Sequence, residues 1–256
     1  MTILRVGESL MKEQISERTA DFLFYYLLGV TLEDIENLNE EEVISVCANR
    51  AYLDMNRTLK FNNACEAKDR KSFCHSICKL MTEEVLKMLK DSDIDQFDAW
   101  HRDTCRQIIK TATKYPELKG KKVLDRIENR YDNSERFYYG QAQKCLNMTI
   151  KYMWITGKWN KKLQLLLPVL HVPVDSYIIE AVWNTDGWED VIEGILVKDK
   201  RKSGQFNSNK VVPGSKWNEK QYIDFQKNLR GKLKTQQKPI EWEEKTWIEI
   251  AKQRAN

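Results

Sequence analysis

A lysine amine and an aspartate carboxylate, each near the start of an apolar helix, are the two groups in this chain whose placement could do covalent chemistry. The first is Lys144, in Tyr138-Tyr-Gly-Gln-Ala-Gln-Lys144, and the second is Asp175, in His171-Val-Pro-Val-Asp175-Ser-Tyr-Ile-Ile. They are 31 residues apart (175 − 144). A lysine attacks carbon only as the neutral amine, so such chemistry calls for a largely apolar wall, and a neighbouring cation such as Lys151 acts in the same direction. An aspartate at a helix N-terminus can stabilise positive charge developing on an electrophile. Pro173 suits that position because its ring holds an extended approach just before the helix begins. Each group also has a plainer reading. Lys144 could sit on a solvated helix face, and Asp175 could be a simple N-cap, a role compatible with the chemical one.

These stretches resemble the helix-hairpin-helix DNA glycosylases of the 8-oxoguanine branch, in which a Gly-x-x-x-Lys helix start is followed by Val-Pro-Val-Asp and an apolar helix. Gly140, Lys144, Val172, Pro173, Val174 and Asp175 carry the match, between Tyr138 and Trp183, and the rest of the chain shares only a general helical character. The separation of Lys144 from Asp175 is longer than the usual member's, and Ala142 stands where the family's second hairpin glycine falls; in both respects the chain is more similar to the archaeal 8-oxoguanine glycosylases. The resemblance implies an all-α fold of two helical lobes around a DNA-binding cleft near residues 138–183, with a helix-hairpin-helix-like element. It implies that Lys144 attacks C1′ of a damaged nucleotide to give a Schiff base, that Asp175 assists, and that proton loss at C2′ then eliminates the 3′ phosphate. The partner would be double-stranded DNA carrying a modified base, 8-oxoguanine by resemblance, bound by a monomer that needs no metal or nucleotide cofactor. Another oxidised base, or a modified base in phage DNA, fits the same chemistry. A non-catalytic DNA-binding protein on the same scaffold is the reading from a different class.

A base must leave the duplex before its glycosidic bond can be attacked, and aromatic walls commonly hold it. Phe137, Tyr138 and Tyr139 precede the lysine, Trp183 and Trp188 follow the aspartate, and Trp217, Tyr222, Trp242 and Trp247 lie further on. Any one of these could equally be core. On a helical wheel Lys144, Asn147, Lys151 and Lys158 form a narrow polar stripe, so Asn147 and Lys151 join Gly140, Tyr138, Tyr139, His171 and Trp183 as substrate or DNA contacts. His171 reads as a phosphate contact or a core residue.

With 5 prolines and 10 glycines in 256 residues, and apolar residues at three- and four-residue spacing, a mainly helical single domain is expected over 1–256. The spacing predicts helices near 9–28, 42–59, 68–90, 95–114 and 121–130, and another beginning at the capping Thr31; the Lys-, Ser-, Asn- and Gly-rich segment 198–214 reads as a mobile loop. Mean hydropathy is −0.63 and no long apolar run occurs, so nothing is expected to span a membrane. The first residues lack the pattern of a secretory signal, and a cytoplasmic location is expected.

Net charge is +4, mild for a polyanion partner, but basic clusters recur at 119–122, 158–162, 198–202 and 232–238. Six cysteines without framework spacing read as reduced thiols. Cys74 and Cys78, with His75 between them, lack the second ligand cluster that a zinc or iron-sulfur site needs.

Overall fold

A computed structural model describes residues 17–61, 63, 65–91, 94–115, 123–125, 130–132, 137–197, 204–233 and 237–255. The fold is all-α, with one short strand pair as the exception. Eleven α-helices are present among the described residues: α1 (Glu17–Leu28), α2 (Leu32–Asn37), α3 (Glu40–Asn56), α4 (Ala67–Asp91), α5 (Phe97–Ala112), α6 (Tyr139–Thr156), α7 (Asn160–Leu166), α8 (Ser176–Asn184), α9 (Glu189–Ile192), α10 (Glu219–Leu233) and α11 (Pro239–Ala255).

Local chemistry sets the helix starts. Thr31 Oγ1 accepts from Asp34 N–H at 3.1 Å while the Asp34 carboxylate accepts from Thr31 N–H at 2.8 Å, so two otherwise orphaned donors are satisfied reciprocally. Asn39 and Glu42 repeat the arrangement at the head of α3, at 3.0 and 2.8 Å. Asn39→Ala removes one half of that box from an exposed position and is expected to cost about 1 kcal/mol in urea denaturation. Gly29, at φ 79°, ends α1 in the left-handed region, and Asp21 on that helix accepts from Leu32 N–H at 3.0 Å, which ties α1 to α2.

The central element is α6. It is buried around most of its circumference, from Tyr139 to Gln143, Cys145 to Asn147, and through Thr149, Ile150, Tyr152, Met153 and Thr156. Such a helix can only sit inside other helices. α3 covers one side of it most extensively, α4 and α5 pack beside them, and α10 and the 3₁₀ turn Gly214–Lys216 close the other side. One contiguous core runs from Leu28 to Trp242 through this helix. Gly157, at φ 73°, terminates it, and the side chain of Lys158 then reaches the carbonyls of Ile35 (2.9 Å) and Leu38. A cation there meets the carbonyl end of α2. Lys158 therefore serves a helix terminus, although the wheel groups it with a polar stripe.

The segment expected to be a helix over 121–130 is different. Val123–Asp125 and Arg130–Asp132 pair as antiparallel strands β1 and β2, with Leu124 opposite Tyr131. Asp125 is the register partner of Arg130 at the other end of the pair. Apolar spacing over so short a stretch does not separate the two periods.

Of the segment read as a mobile loop, 198–203 lies outside the described residues. The remainder is anchored: Trp183 Nε1 donates to Gly204 O at 3.0 Å, and Val197 and Val212 bond across to Lys210 and Ile195. The basic cluster at 119–122 lies outside the described residues as well.

Candidate functional site

Three contacts fix the Val172–Asp175 segment against α6. Gly140 N–H donates to Trp217 O at 2.9 Å, and its α-carbon lies so close to Gly214 that an added Cβ would stand 1.9 Å from the Gly214 carbonyl oxygen. Gly214 in turn rests on Val174, with 3.2 Å from its own virtual Cβ to the Val174 carbonyl oxygen. Seven residues along the helix from Gly140, on nearly the same line, Asn147 Nδ2 donates to Val172 O at 3.2 Å. Lys144 stands between these anchors along the helix, turned about 40° to 60° around its axis from that line.

Lys144 is half-buried, and no described residue makes a hydrogen bond or ion pair with its amine. Asp175 is held from both sides. Its Oδ1 caps α8, accepting from Tyr177 N–H (2.9 Å) and Ile178 N–H (3.2 Å), and its Oδ2 accepts from Trp247 Nε1 on α11 at 3.1 Å. Two turns beyond Lys144 on the same face, about 10 Å along the axis, Lys151 pairs with Glu243 of α11 at 2.5 Å. Burial pushes the Glu243 carboxyl up to about 7, with the Asp175 and Glu244 charges adding to it and the Lys151 amine opposing it. Because Glu243 absorbs its charge, Lys151 is a weaker repulsive neighbour for Lys144 than the sequence suggests. Residues 243 and 247 lie one turn apart on α11, so this helix spans from the lysine stripe to the aspartate.

Behind these contacts lies a closed polar network. Asn147 Nδ2 also lies 2.9 Å from Gln143 Oε1 and 2.8 Å from Tyr222 Oη, so its two hydrogens are shared among three acceptors, and its Oδ1 faces His101 Nε2 at 2.8 Å. Tyr222 Oη meets His171 Nδ1 at 2.8 Å, and His171 Nε2 meets Asp98 Oδ1 at 2.9 Å. One consistent set of protons follows: Asn147 donates to Tyr222, Tyr222 to His171 Nδ1, and His171 Nε2–H to Asp98. Gln226 completes the clamp, accepting from Val172 N–H at 3.1 Å and donating to Val172 O at 2.8 Å. A fully satisfied buried network specifies one arrangement, because any shift leaves a polar group unpaired.

The network also makes stability depend on acid. Burial, foremost, keeps both His101 and His171 below the ordinary imidazole range, so below about pH 6.5 the unfolded chain takes up protons that the folded one refuses. Burial works to raise Asp98, but the hydrogen bonds and charges of His171 and Arg230 outweigh it and hold this carboxyl well below the usual range. Its contribution is present above the unfolded value near 3.9 and is lost as pH falls toward the folded one. Urea denaturation is therefore expected to show stability falling from about pH 6.5 downward. The decline below about pH 4 should be shallower in Asp98→Asn.

The positions read from sequence thus divide. Lys151 is tied to α11 through Glu243 and Asp175 through Trp247, Lys144 is half-buried on the Lys151 face of α6, and Tyr138 is half-buried at the head of α6. Gly140, Tyr139, Asn147, His171 and Trp183 are buried, so in this structure they bear on the site by packing and hydrogen bonding. The helical wheel places Asn147 on the polar stripe, but it is 2 % exposed, because the stripe is narrower than a wheel implies and its flank faces the His101 and Tyr222 rings. Among the aromatic candidates Phe137, Trp217, Tyr222 and Trp242 are core, whereas Trp188 and Trp247 are partly open.

No family model, curated protein or solved structure matches this chain. The reading of the site therefore stands on its residues.

Two contributors are not evident from sequence. Tyr177 lies 4.6 Å from Trp247, ring centre to centre, and Arg254 covers Tyr177 at 4.0 Å while bonding Ser176 and Glu180. Together they make a half-open aromatic and cationic surface beside Asp175. The only trace in the sequence is the four-residue step from Glu243 to Trp247. Among the described residues no group of three or more His, Cys, Asp or Glu side chains is placed to hold a metal ion, and no helix is long and apolar enough to cross a membrane.

Proposed function

We propose that this chain is a DNA base-excision glycosylase with lyase activity, acting through a Schiff base on Lys144. The observation that carries this reading is the half-buried Lys144 amine, unpartnered among the described residues, on the face of α6 whose Lys151 pairs with Glu243 of α11, the helix whose Trp247 holds the doubly anchored Asp175. Most lysines at a folded surface gain nothing from such a setting, whereas a nucleophile needs an amine that no carboxylate neutralises.

In this reading the damaged nucleotide turns out of the duplex, and the sugar, not the base, meets Lys144. Asp175 stabilises the oxocarbenium-like sugar as the base departs. The amine then bonds to C1′ and gives up a proton to solvent, the C1′–O4′ bond opens to leave the Schiff base, and loss of a C2′ proton expels the 3′ phosphate. The partly open Tyr177, Trp247 and Arg254 surface supplies stacking and a cation to the flanking strand. The base is 8-oxoguanine by resemblance of the Lys144 and Val-Pro-Val-Asp175 stretches.

Borohydride reduction of the protein on duplexes carrying 8-oxoguanine, an abasic site or no lesion tests the proposal. A covalent crosslink on the 8-oxoguanine duplex supports chemistry and substrate together. Trapping at the abasic site alone keeps the lysine chemistry and transfers the substrate to another oxidised base or a modified base of phage DNA. No crosslink on any duplex leaves a non-catalytic DNA-binding protein.

A further inference from the structure

Five of the six cysteines are buried, and Cys74 alone is partly exposed. It stands on α4 one turn before Cys78, with the two sulfurs 4.0 Å apart. Its thiol opens on a surface hollow of about 470 Å³, lined among the described residues also by Tyr52, Asn56, Leu59, Phe61, Arg70 and Lys71. That volume lies within the range of small-molecule sites. The hollow lies where α3 meets α4, and neither Lys144 nor Asp175 lines it.

Its chemistry favours an anion that can also meet a thiol. Arg70 and Lys71 sit one turn before Cys74 on the same face of α4, no carboxylate is among the described lining residues, and neither cation is ion-paired with a described residue. The Arg70 guanidinium is set 5.2 Å over the Phe61 ring, which orients it without neutralising it. Behind Cys74 lies the buried Cys78, its sulfur within hydrogen-bonding distance of the outer one. The contact between the two sulfurs lowers the Cys74 thiol against the opposing effect of burial, and the same contact together with burial raises Cys78, so the outer thiol is the one that ionises more readily.

The geometry points to a thiol-modification site, at which Cys74 exchanges with a small anionic disulfide of the glutathione class steered by Arg70 and Lys71. The Cys74 thiolate attacks one sulfur of the incoming disulfide. That S–S bond breaks as the new one to Cys74 forms, and the other half leaves as a thiolate that takes up a proton. The disulfide is the only oxidant consumed, and Cys78 remains a thiol throughout. The site is independent of the chemistry proposed for Lys144.

The test incubates the native full chain with oxidised glutathione near neutral pH and follows intact mass, then maps the adduct by peptide. A single adduct on Cys74, absent in Cys74→Ser, is expected. The double variant Arg70→Gln with Lys71→Gln should slow the reaction roughly tenfold while leaving exchange with the uncharged bis(2-hydroxyethyl) disulfide unchanged. Cys78→Ala should slow both reagents, because it removes the sulfur contact that lowers the Cys74 thiol. An adduct on one of the buried cysteines, no adduct on the folded wild type, or equal rates of the charge variant and wild type with oxidised glutathione would each overturn the assignment.

Discussion

Lys144→Gln is expected to abolish borohydride trapping and to lower strand cleavage at an abasic site by on the order of 10³-fold or more, since the amine that forms the covalent bond is gone. The same variant should keep its melting temperature within about 2 °C. The side chain is half-buried and, among the described residues, has no hydrogen bond or ion pair to lose, and substitutions of that kind stay within about 0.5 kcal/mol. The combination matters, because a scaffold lysine would lose neither activity nor stability and a core lysine would lose both. Asp175→Asn separates the second role in the same way. Asparagine caps a helix as well as aspartate does, so the bonds from Tyr177 and Ile178 N–H survive while the negative charge and the bond from Trp247 Nε1 disappear. Base release should fall far more than stability, which should drop by about 1 kcal/mol for the one lost hydrogen bond.

Gly140→Ala is expected to be the most damaging single methyl in the chain. Its Cβ would stand 1.9 Å from the carbonyl oxygen of Gly214 and 3.0 Å from the Gly214 carbonyl carbon, and these are backbone atoms that cannot rotate aside. Relief requires the 3₁₀ turn Gly214–Lys216 to move off α6, breaking the bond from Gly140 N–H to Trp217 O. A loss of about 3 kcal/mol or more is expected, visible as a melting temperature lower by roughly 6 to 12 °C. Gly214→Ala meets Val174, at 3.2 Å from its carbonyl oxygen, and the Ile179 side chain at an ordinary contact distance of 3.7 Å, and should cost less. Wild-type stability in Gly140→Ala would mean that the close approach of α6 to this turn is misdescribed. Because Val174 adjoins Asp175, the Gly214 variant is also the one in which trapping should suffer more than stability.

Much of the fold was legible because it is written in local terms. Thr31 and Asn39 announce their helices through caps that need only neighbours three residues away, and the apolar spacing of 42–59, 68–90 and 95–114 matches α3, α4 and α5 to within a few residues. The stretch near 121–130 failed for the same reason, since a strand pair depends on register between two segments and neither carries enough alternation alone. The polar stripe of α6 failed in part because a helical wheel assigns directions and not occupants. Asn147 belongs to the His101, Tyr222 and Val172 contacts, Lys158 to the end of α2, and Lys151 to Glu243, all of them partners distant in sequence.

By itself the sequence determined the helical class, the heads of the early helices, and the pair of groups, Lys144 and Asp175, around which a covalent chemistry could be written. Spacing and capping are short-range properties, and residue type decides what an amine or a carboxylate can do. The tertiary structure alone decided that two glycines 74 residues apart (214 − 140) bring α6 against the Gly214 turn, that α11 reaches Lys151 through Glu243 and Asp175 through Trp247, and that Cys74 and not another thiol opens to solvent. Those outcomes depend on which buried polar groups find partners and where backbones can touch, and such pairings are settled only when all the helices pack at once.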